Sequence, residues 1–368
     1  MNRLFHLLKQ EIVLFLALLL ALISMIWVPP SSQTLGFIDW QVLAQLFCLM
    51  AVVAGFRQCG LFEVMAQRLL SGRRRMRFVS VVLILLPFFT SMLITNDVAL
   101  IAFVPFTLMA LSFIGRERYV IPLVSLQTIA ANLGSMVTPV GNPQNLYLYA
   151  RFSLSPRDFF TALLPYAAAS LLLLLLLAFL LKSETVEVHF PERATLRAPR
   201  RLALYSVLFA LCLLSVFRVL PWPFLLAAVA GCMLHFSRSL FRQVDYSLLL
   251  TFVCFFVFVG NLGQIPPVRD FLTGMAGQNA LLTTAAASQV ISNVPAAVLF
   301  SGFTGDWRGL LVGANLGGLG TLVASLASLI SFRFYLRTPG ARPLRYLGVF
   351  SLLNAGFLAV LVPLAVFL

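Results

Sequence analysis

A chain of 368 residues that is 61% hydrophobic and only 10% charged has far too much apolar surface for a soluble domain, and its apolar runs are long enough to cross hydrocarbon. The net charge of +14 does not indicate nucleic acid, because the basic residues sit in short links between apolar runs and not as a patch on a soluble fold. Scattered cysteines without a C-x-x-C pair exclude a disulfide frame, the single histidines His6, His189 and His235 exclude an H-E-x-x-H metal site, and no nucleophile elbow or phosphate loop occurs, so neither an enzyme nor a cofactor is expected.

The first apolar run, 12–28, follows Arg3 and Lys9 as in a signal peptide, yet Trp27-Val28-Pro29-Pro30 offers no small-residue cleavage site, so it is read as a membrane helix. Further spans are predicted at 41–56, 119–149, 160–181, 202–220, 221–236, 246–262, 310–332 and 347–367, giving an all-α polytopic membrane protein with about nine transmembrane helices. Two other apolar stretches, 78–113 and 281–303, carry the polar tips Thr95-Asn96-Asp97 and Ser292-Asn293. They are read as re-entrant hairpins, since irregular backbone at membrane depth must face protein or a water-filled cavity. An ionisable group at the depth of Asp97 costs at least about 2.5 kcal/mol on insertion scales. A carboxylate that merely caps the next helix would explain Asp97 alone; the return of the same chemistry at Ser292-Asn293 argues for a site.

Starting with the N-terminus inside, this topology puts all 26 Lys and Arg residues except Arg151, Arg157, Arg218, Arg269 and Arg308 on the cytoplasmic side. The C-terminus is then outside, and the expected location is the bacterial plasma (inner) membrane. The polar segment 182–201, with Pro191 and Pro199, reads as a cytoplasmic linker between a first repeat, 1–181, and a second, 202–368. Asp39-Trp40 answers Asp245-Tyr246, and Cys48 answers Cys254 at the same offset. In each half a short amphipathic stretch (61–70, 268–275), a hairpin and a helix interrupted by glycine follow in that order. The first hairpin is entered from inside and the second from outside, so the repeat is inverted, with broken helices at 119–149 and 310–332.

Paired discontinuous helices in an inverted repeat point to a secondary transporter with its sites near the bilayer midplane. Where a helix stops and restarts, its last carbonyls and first N–H groups lose their partners. The carbonyls, with Asn, Thr and Asp side chains, suit a hard cation such as sodium; the N-termini suit an anion. The candidate residues are Thr95, Asn96, Asp97, Asn132, Gly134, Thr138, Gly141 and Asn142 in the first half, and Ser292, Asn293, Asn315, Gly317, Gly318 and Thr321 in the second, with Ser325 and Ser328 on the following turns. Sodium is expected at Asn96, Asn132, Asn293 and Asn315. Pro139 and Pro143 force the unwinding. The glycines of 317–320 alone would read as close helix packing; the match of Asn132 with Asn315 favours a site. Tyr147 and Tyr149 read as interfacial anchors.

At Thr95-Asn96-Asp97 with Pro105, at Asn132-Leu133-Gly134 through Thr138-Pro139-Val140-Gly141-Asn142-Pro143, and at Ser292-Asn293 followed by Gly313-Ala314-Asn315-Leu316-Gly317-Gly318, the chain resembles the ion transporter superfamily. That group holds citrate-metal symporters, arsenite exporters, sodium/proton antiporters and divalent-anion/sodium symporters. The resemblance implies two hairpins and two broken helices that hold sodium, an anion between the hairpin tips, an elevator-like movement of the transport domain, and a homodimer. The anion/sodium symporters tend to show Ser-Asn-Thr at both tips, whereas here Asp97 resembles the Asn-Asp step of the arsenite and antiporter branches and Val294 has no hydroxyl. The sequence thus indicates a secondary transporter of a small anion, an organic acid being one candidate, coupled to sodium or protons. A sodium/proton antiporter or arsenite-type exporter is the alternative, and a non-transport membrane subunit the reading outside that class.

Overall fold

The computed structural model describes residues 12–181, 184–188, 190 and 192–368. Arg3, His6, Lys9, Lys182, His189 and Pro191 lie outside the described residues. The first half contains α1 (Ile12–Trp27), a short α2 (Ser32–Gly36), α3 (Trp40–Gln58), α4 (Leu61–Leu70), β1 (Gly72–Arg75), α5 (Met76–Thr90), α6 (Asn96–Phe113), α7 (Val120–Ser135), α8 (Pro143–Arg151) and α9 (Pro156–Leu180). After β2 (Thr185–Val188) come α10 (Pro199–Val216), α11 (Trp222–Phe236), α12 (Tyr246–Leu262), α13 (Pro266–Gln278), α14 (Ala280–Ile291), α15 (Asn293–Ser301), α16 (Trp307–Leu316), α17 (Leu326–Leu336) and α18 (Pro343–Phe367).

Side chains at the helix starts explain much of this segmentation. Asp39 and Asp245 cap α3 and α12 alike, each Oδ1 accepting a hydrogen bond at 3.0 Å, from Val42 N and Leu248 N. Such a cap fills one of the donors that a helix start leaves open. Pro143 and Pro156 occupy first helical positions, where a missing N–H costs nothing.

Among the described residues, five helices are long and apolar enough to cross a membrane: α3, α6, α9, α10 and α18. α12 and α13 pass the same test as a pair, bent by 106° at the break between them, the geometry of a broken span or of a re-entrant loop. The count expected from the sequence was about nine. Of those nine, 41–56, 160–181, 202–220 and 347–367 fall on helices of spanning length and 246–262 on the first member of the bent pair; residues 13–27 of α1 and α11 are apolar but shorter, at about 1.5 Å of rise per residue, and 119–149 and 310–332 are each divided by a break. The second arm of the first hairpin, α6, is itself of spanning length, a property hydropathy alone does not separate from a re-entrant arm.

The expectation of an all-α chain needs one correction. β1 and β2 form a two-stranded antiparallel sheet, Gly72 opposite Val188 and Arg75 opposite Thr185, so part of the presumed linker is fixed structure. Charge hid this pairing, because a run of three arginines reads as a solvated loop. The sheet is tied down by Arg116, 2.9 Å from Glu184, and by Arg118, which bonds the same carboxylate. Further along the segment, Ala194 N donates to Gln67 Oε1 at 2.7 Å and Arg197 N to Cys59 O at 2.9 Å.

Candidate functional site

Two helices stop and restart in the middle of the fold, and each break has a hairpin tip against it. In the first half α7 ends at Ser135 and α8 begins at Pro143. In the second, α16 ends at Leu316 and α17 begins at Leu326, with Gly320 at φ 109°, a conformation that favours glycine. The tip asparagines dock on these breaks in the same way. Asn96 N donates to Gly141 O at 3.1 Å and Asn293 N to Ala324 O at 3.0 Å. Each side-chain Oδ1 then accepts the next backbone N–H, from Asp97 and Val294, at 3.0 Å.

The amide side chains join the two halves. Asn132 Oδ1 accepts from Asn96 Nδ2 at 2.8 Å and from Ser325 Oγ at 3.1 Å, while its Nδ2 donates to Gly318 O at 3.4 Å. Asn315 Oδ1 accepts from Asn142 Nδ2 at 3.1 Å, and Asn315 Nδ2 donates to Asn145 Oδ1 at 2.7 Å. All of these side chains are buried, where an unpaired amide is costly, so the network fixes how the two breaks face each other.

Asn96, Asp97, Ser292, Asn293 and Ser325 line a cavity of ≈ 60 Å³ together with Gln144, Asp245 and Thr251. At about 10–15 Å³ for each water centre, that is room for roughly four waters or a small, partly hydrated ion. Asp97 Oδ1 is buried without a hydrogen-bond partner. Asp97 and Asp245 border one small cavity, so its electrostatics favour a positive charge between them.

The other candidates divide by position. Gly141 supplies the carbonyl that holds Asn96, and Gly318 the one that holds Asn132. Gly134 and Gly317 are packing positions: a Cβ at Gly134 would lie 2.1 Å from Phe88 O, and one at Gly317 2.7 Å from Ser288 Oγ. Thr138 bonds Met92 O and so ties the first break to the hairpin turn. Thr95 precedes α6 without capping it through its side chain. Thr321 is exposed and pairs with Gln289, apart from the amide network. Ser328 Oγ is buried without a partner.

The break carbonyls, which the sequence suggested would await a solute, are in part taken by the protein. Asn145 Nδ2 reaches Met136 O and Thr138 O at 3.3 Å, and Gln289 Nε2 reaches Gly317 O and Leu319 O at 2.9 Å. Neither residue stood out in the sequence: Asn145 lies just past the first break, and Gln289 lies beside the second hairpin tip, far along the chain from the break it reaches. Asp245 was visible only as a mark of repetition. Tyr147 and Tyr149 are both buried, and Tyr147 Oη lies 2.7 Å from Ser301 Oγ, so neither is an interfacial anchor. Burial of α8 among other helices overrides the usual preference of Tyr for the interface. Among the described residues no group of three or more His, Cys, Asp or Glu side chains comes together as a metal site.

A sequence model described as a citrate transporter matches residues 5–303. The chain belongs to the citrate transporter family. It is 30% identical over 334 residues to an uncharacterised transporter of Methanocaldococcus jannaschii, covering 90% of this chain and 91% of the relative. It is 31% identical to the inner membrane protein YbiR of Escherichia coli over 303 residues, 80% of each chain. A 46 kDa membrane protein of Mycobacterium leprae is 26% identical over 342 residues, covering 80% of this chain and 78% of the relative. With its apolar helices, this family member is a multi-pass membrane transporter.

Proposed function

We propose that this citrate transporter family member is a secondary active transporter of a small anion, an organic acid in the first instance, coupled to sodium or protons by alternating access in the bacterial inner membrane. The observation that carries the reading is the matched docking of Asn96 and Asn293 on the two breaks, with both asparagines on one cavity wall. Two tips that share one cavity can hold one solute between them, and oxygen-rich side chains beside it suit a hard coupling cation. We read sodium as held at Asn96, Asn132, Asn293 and Asn315, with the anion between the tips. In this reading the halves form an inverted repeat, 1–181 and 202–368, the arginine-rich loops and the N-terminus are cytoplasmic, the C-terminus is outside, and the protein is a homodimer.

The test is uptake of radiolabelled citrate, and of other carboxylates found by a thermal-shift screen with and without sodium, into proteoliposomes. Asn96→Ala and Asn293→Ala proteins that are folded and inserted should each lose most of the uptake; full uptake by both would overturn the reading. A second reading, sodium/proton antiport, is favoured by the unpaired Asp97 Oδ1 at the cavity shared with Asp245. It requires sodium-driven alkalinisation of everted vesicles that Asp97→Asn abolishes, and absence of that signal at every pH refutes it.

A further inference from the structure

A second cavity, of ≈ 520 Å³, lies beyond the first along the same helices. Three elements line both. On α12, Ser247 and Thr251 face the small cavity, while Phe256, Val259 and Gly260 face the large one. On α15, Asn293 to Pro295 face the small cavity, and Val298, with Gly302 just past the helix end, the large one. On α8 the order is Gln144, then Tyr147 and Arg151. The order is the same on all three helices, so the cavities are stacked end to end with about one helical turn between them, on the order of 5 Å.

Tyr147 and Phe256, which line the large cavity, and Phe252, next to the small cavity's Thr251, cluster at that turn. Tyr147 lies 5.4 Å from Phe256 and 6.3 Å from Phe252, centroid to centroid, and Phe252 and Phe256 lie 5.7 Å apart. The rings are mutually tilted, within the separations at which aromatic pairs attract. Tyr147 is also pinned to α15 by the 2.7 Å hydrogen bond with Ser301 Oγ, itself beside the large cavity's Gly302. The large cavity is lined by Arg151, a cation without an ion pair among the described residues, and by Asp39 and Trp40. A chamber lined by Arg151 and Asp39, an aromatic cluster and the tip-asparagine cavity thus follow one another in line.

We propose that the two cavities are successive parts of one solute path and that Tyr147, Phe252 and Phe256 form the barrier that closes it between the tip cavity and the chamber at Arg151. The proposal rests on the transport reading above but is tested without uptake. Opening requires the Tyr147–Ser301 bond to break or α8, α12 and α15 to shift together, which links the barrier directly to the second hairpin.

The experiment uses the full-length protein with its five native cysteines replaced, reconstituted in one orientation, with single cysteines introduced as Thr251→Cys and Val259→Cys. A membrane-impermeant maleimide is applied to either face. The two cysteines should react from opposite faces, whichever face each turns out to be. Phe256→Ala should let reagent on the Val259 face reach the cysteine at 251 about tenfold faster, the effect of lowering a barrier by ~1.4 kcal/mol. Tyr147→Phe, which removes only the pin to Ser301, should accelerate it by less and provides the measurement if Phe256→Ala does not fold. Reaction of both cysteines from one face with the three rings intact, or no acceleration in either variant, would overturn the barrier. Full uptake by the Asn96 and Asn293 variants would remove the transport site and leave this pattern of accessibility unchanged.

Discussion

Ser292 adopts φ 74° and ψ 155°, a backbone region that side chains other than glycine occupy only under constraint. The strain sits beside Asn293 and is held by the docking of the tip on Ala324, whose carbonyl accepts from Asn293 N and, at 3.3 Å, from Ser292 Oγ. Glycine at this position relieves about 1–3 kcal/mol of strain, whereas alanine keeps the strain and loses the hydroxyl. Ser292→Gly protein should therefore be more stable than Ser292→Ala in detergent thermal melts, the reverse of their order in an ordinary helix. A melt in which the alanine variant is equal or better would show that the tip is relaxed. Both variants lack the hydroxyl of a residue that lines the cavity, so transport should fall in both, a separation of stability from activity within one residue.

At the scale of elements, the first arm of each hairpin packs along the helix that leads into the break, and glycines set the spacing. A Cβ at Gly134 would meet Phe88 O at 2.1 Å and Ser91 Oγ at 2.7 Å; one at Gly313 would meet Leu281 O at 2.4 Å. Backbone cannot yield as a flexible side chain does, so Gly134→Ala should cost at least about 1–3 kcal/mol and push α5 away from α7. Gly231→Ala, in the exposed face of α11 with nothing within 4 Å, should instead gain about 0.5–1 kcal/mol. Comparing the two melting temperatures checks that packing, and not helix propensity, decides the outcome. The hairpins and breaks were legible in the sequence because an Asn or a Gly-Gly step inside an apolar run has few explanations. The β1–β2 sheet was not, because four-residue strands carry no periodic signal and the arginines of β1 are equally at home in a loop. Asn145 stayed hidden for a related reason: its neighbours Tyr147 and Tyr149 suggested an interface, and only the packing of α8 shows them buried.

For the molecule as a whole, the question is what holds the two breaks in register across a chain distance of nearly half its length. Much of the answer is carried by Asn142, Asn145 and Asn315. Asn142 caps α8 through Asn145 N at 2.9 Å, donates to Ser135 Oγ at 3.1 Å, and reaches across to Asn315 Oδ1. Asn315 returns a bond to Asn145. Removing either partner leaves buried amide groups unsatisfied, at about 1–3 kcal/mol each, and Asn142→Ala adds the loss of a cap, typically about 1 kcal/mol. Once one partner is gone, the second substitution strands fewer groups, so the double variant Asn142→Ala/Asn315→Ala should cost less than the sum of the singles by about 0.5–3 kcal/mol. Asn261, which bonds Ser24 Oγ at 2.9 Å and shares no hydrogen-bond partner with Asn142, provides the control: Asn142→Ala with Asn261→Ala should be close to additive. Chemical unfolding in mild detergent measures all of these variants on one scale. Additivity at Asn142–Asn315 equal to that of the control would mean that the halves are registered by apolar packing alone. Coupling of the expected size would make the amide bridge a joint that any relative movement of the two halves has to stretch or break.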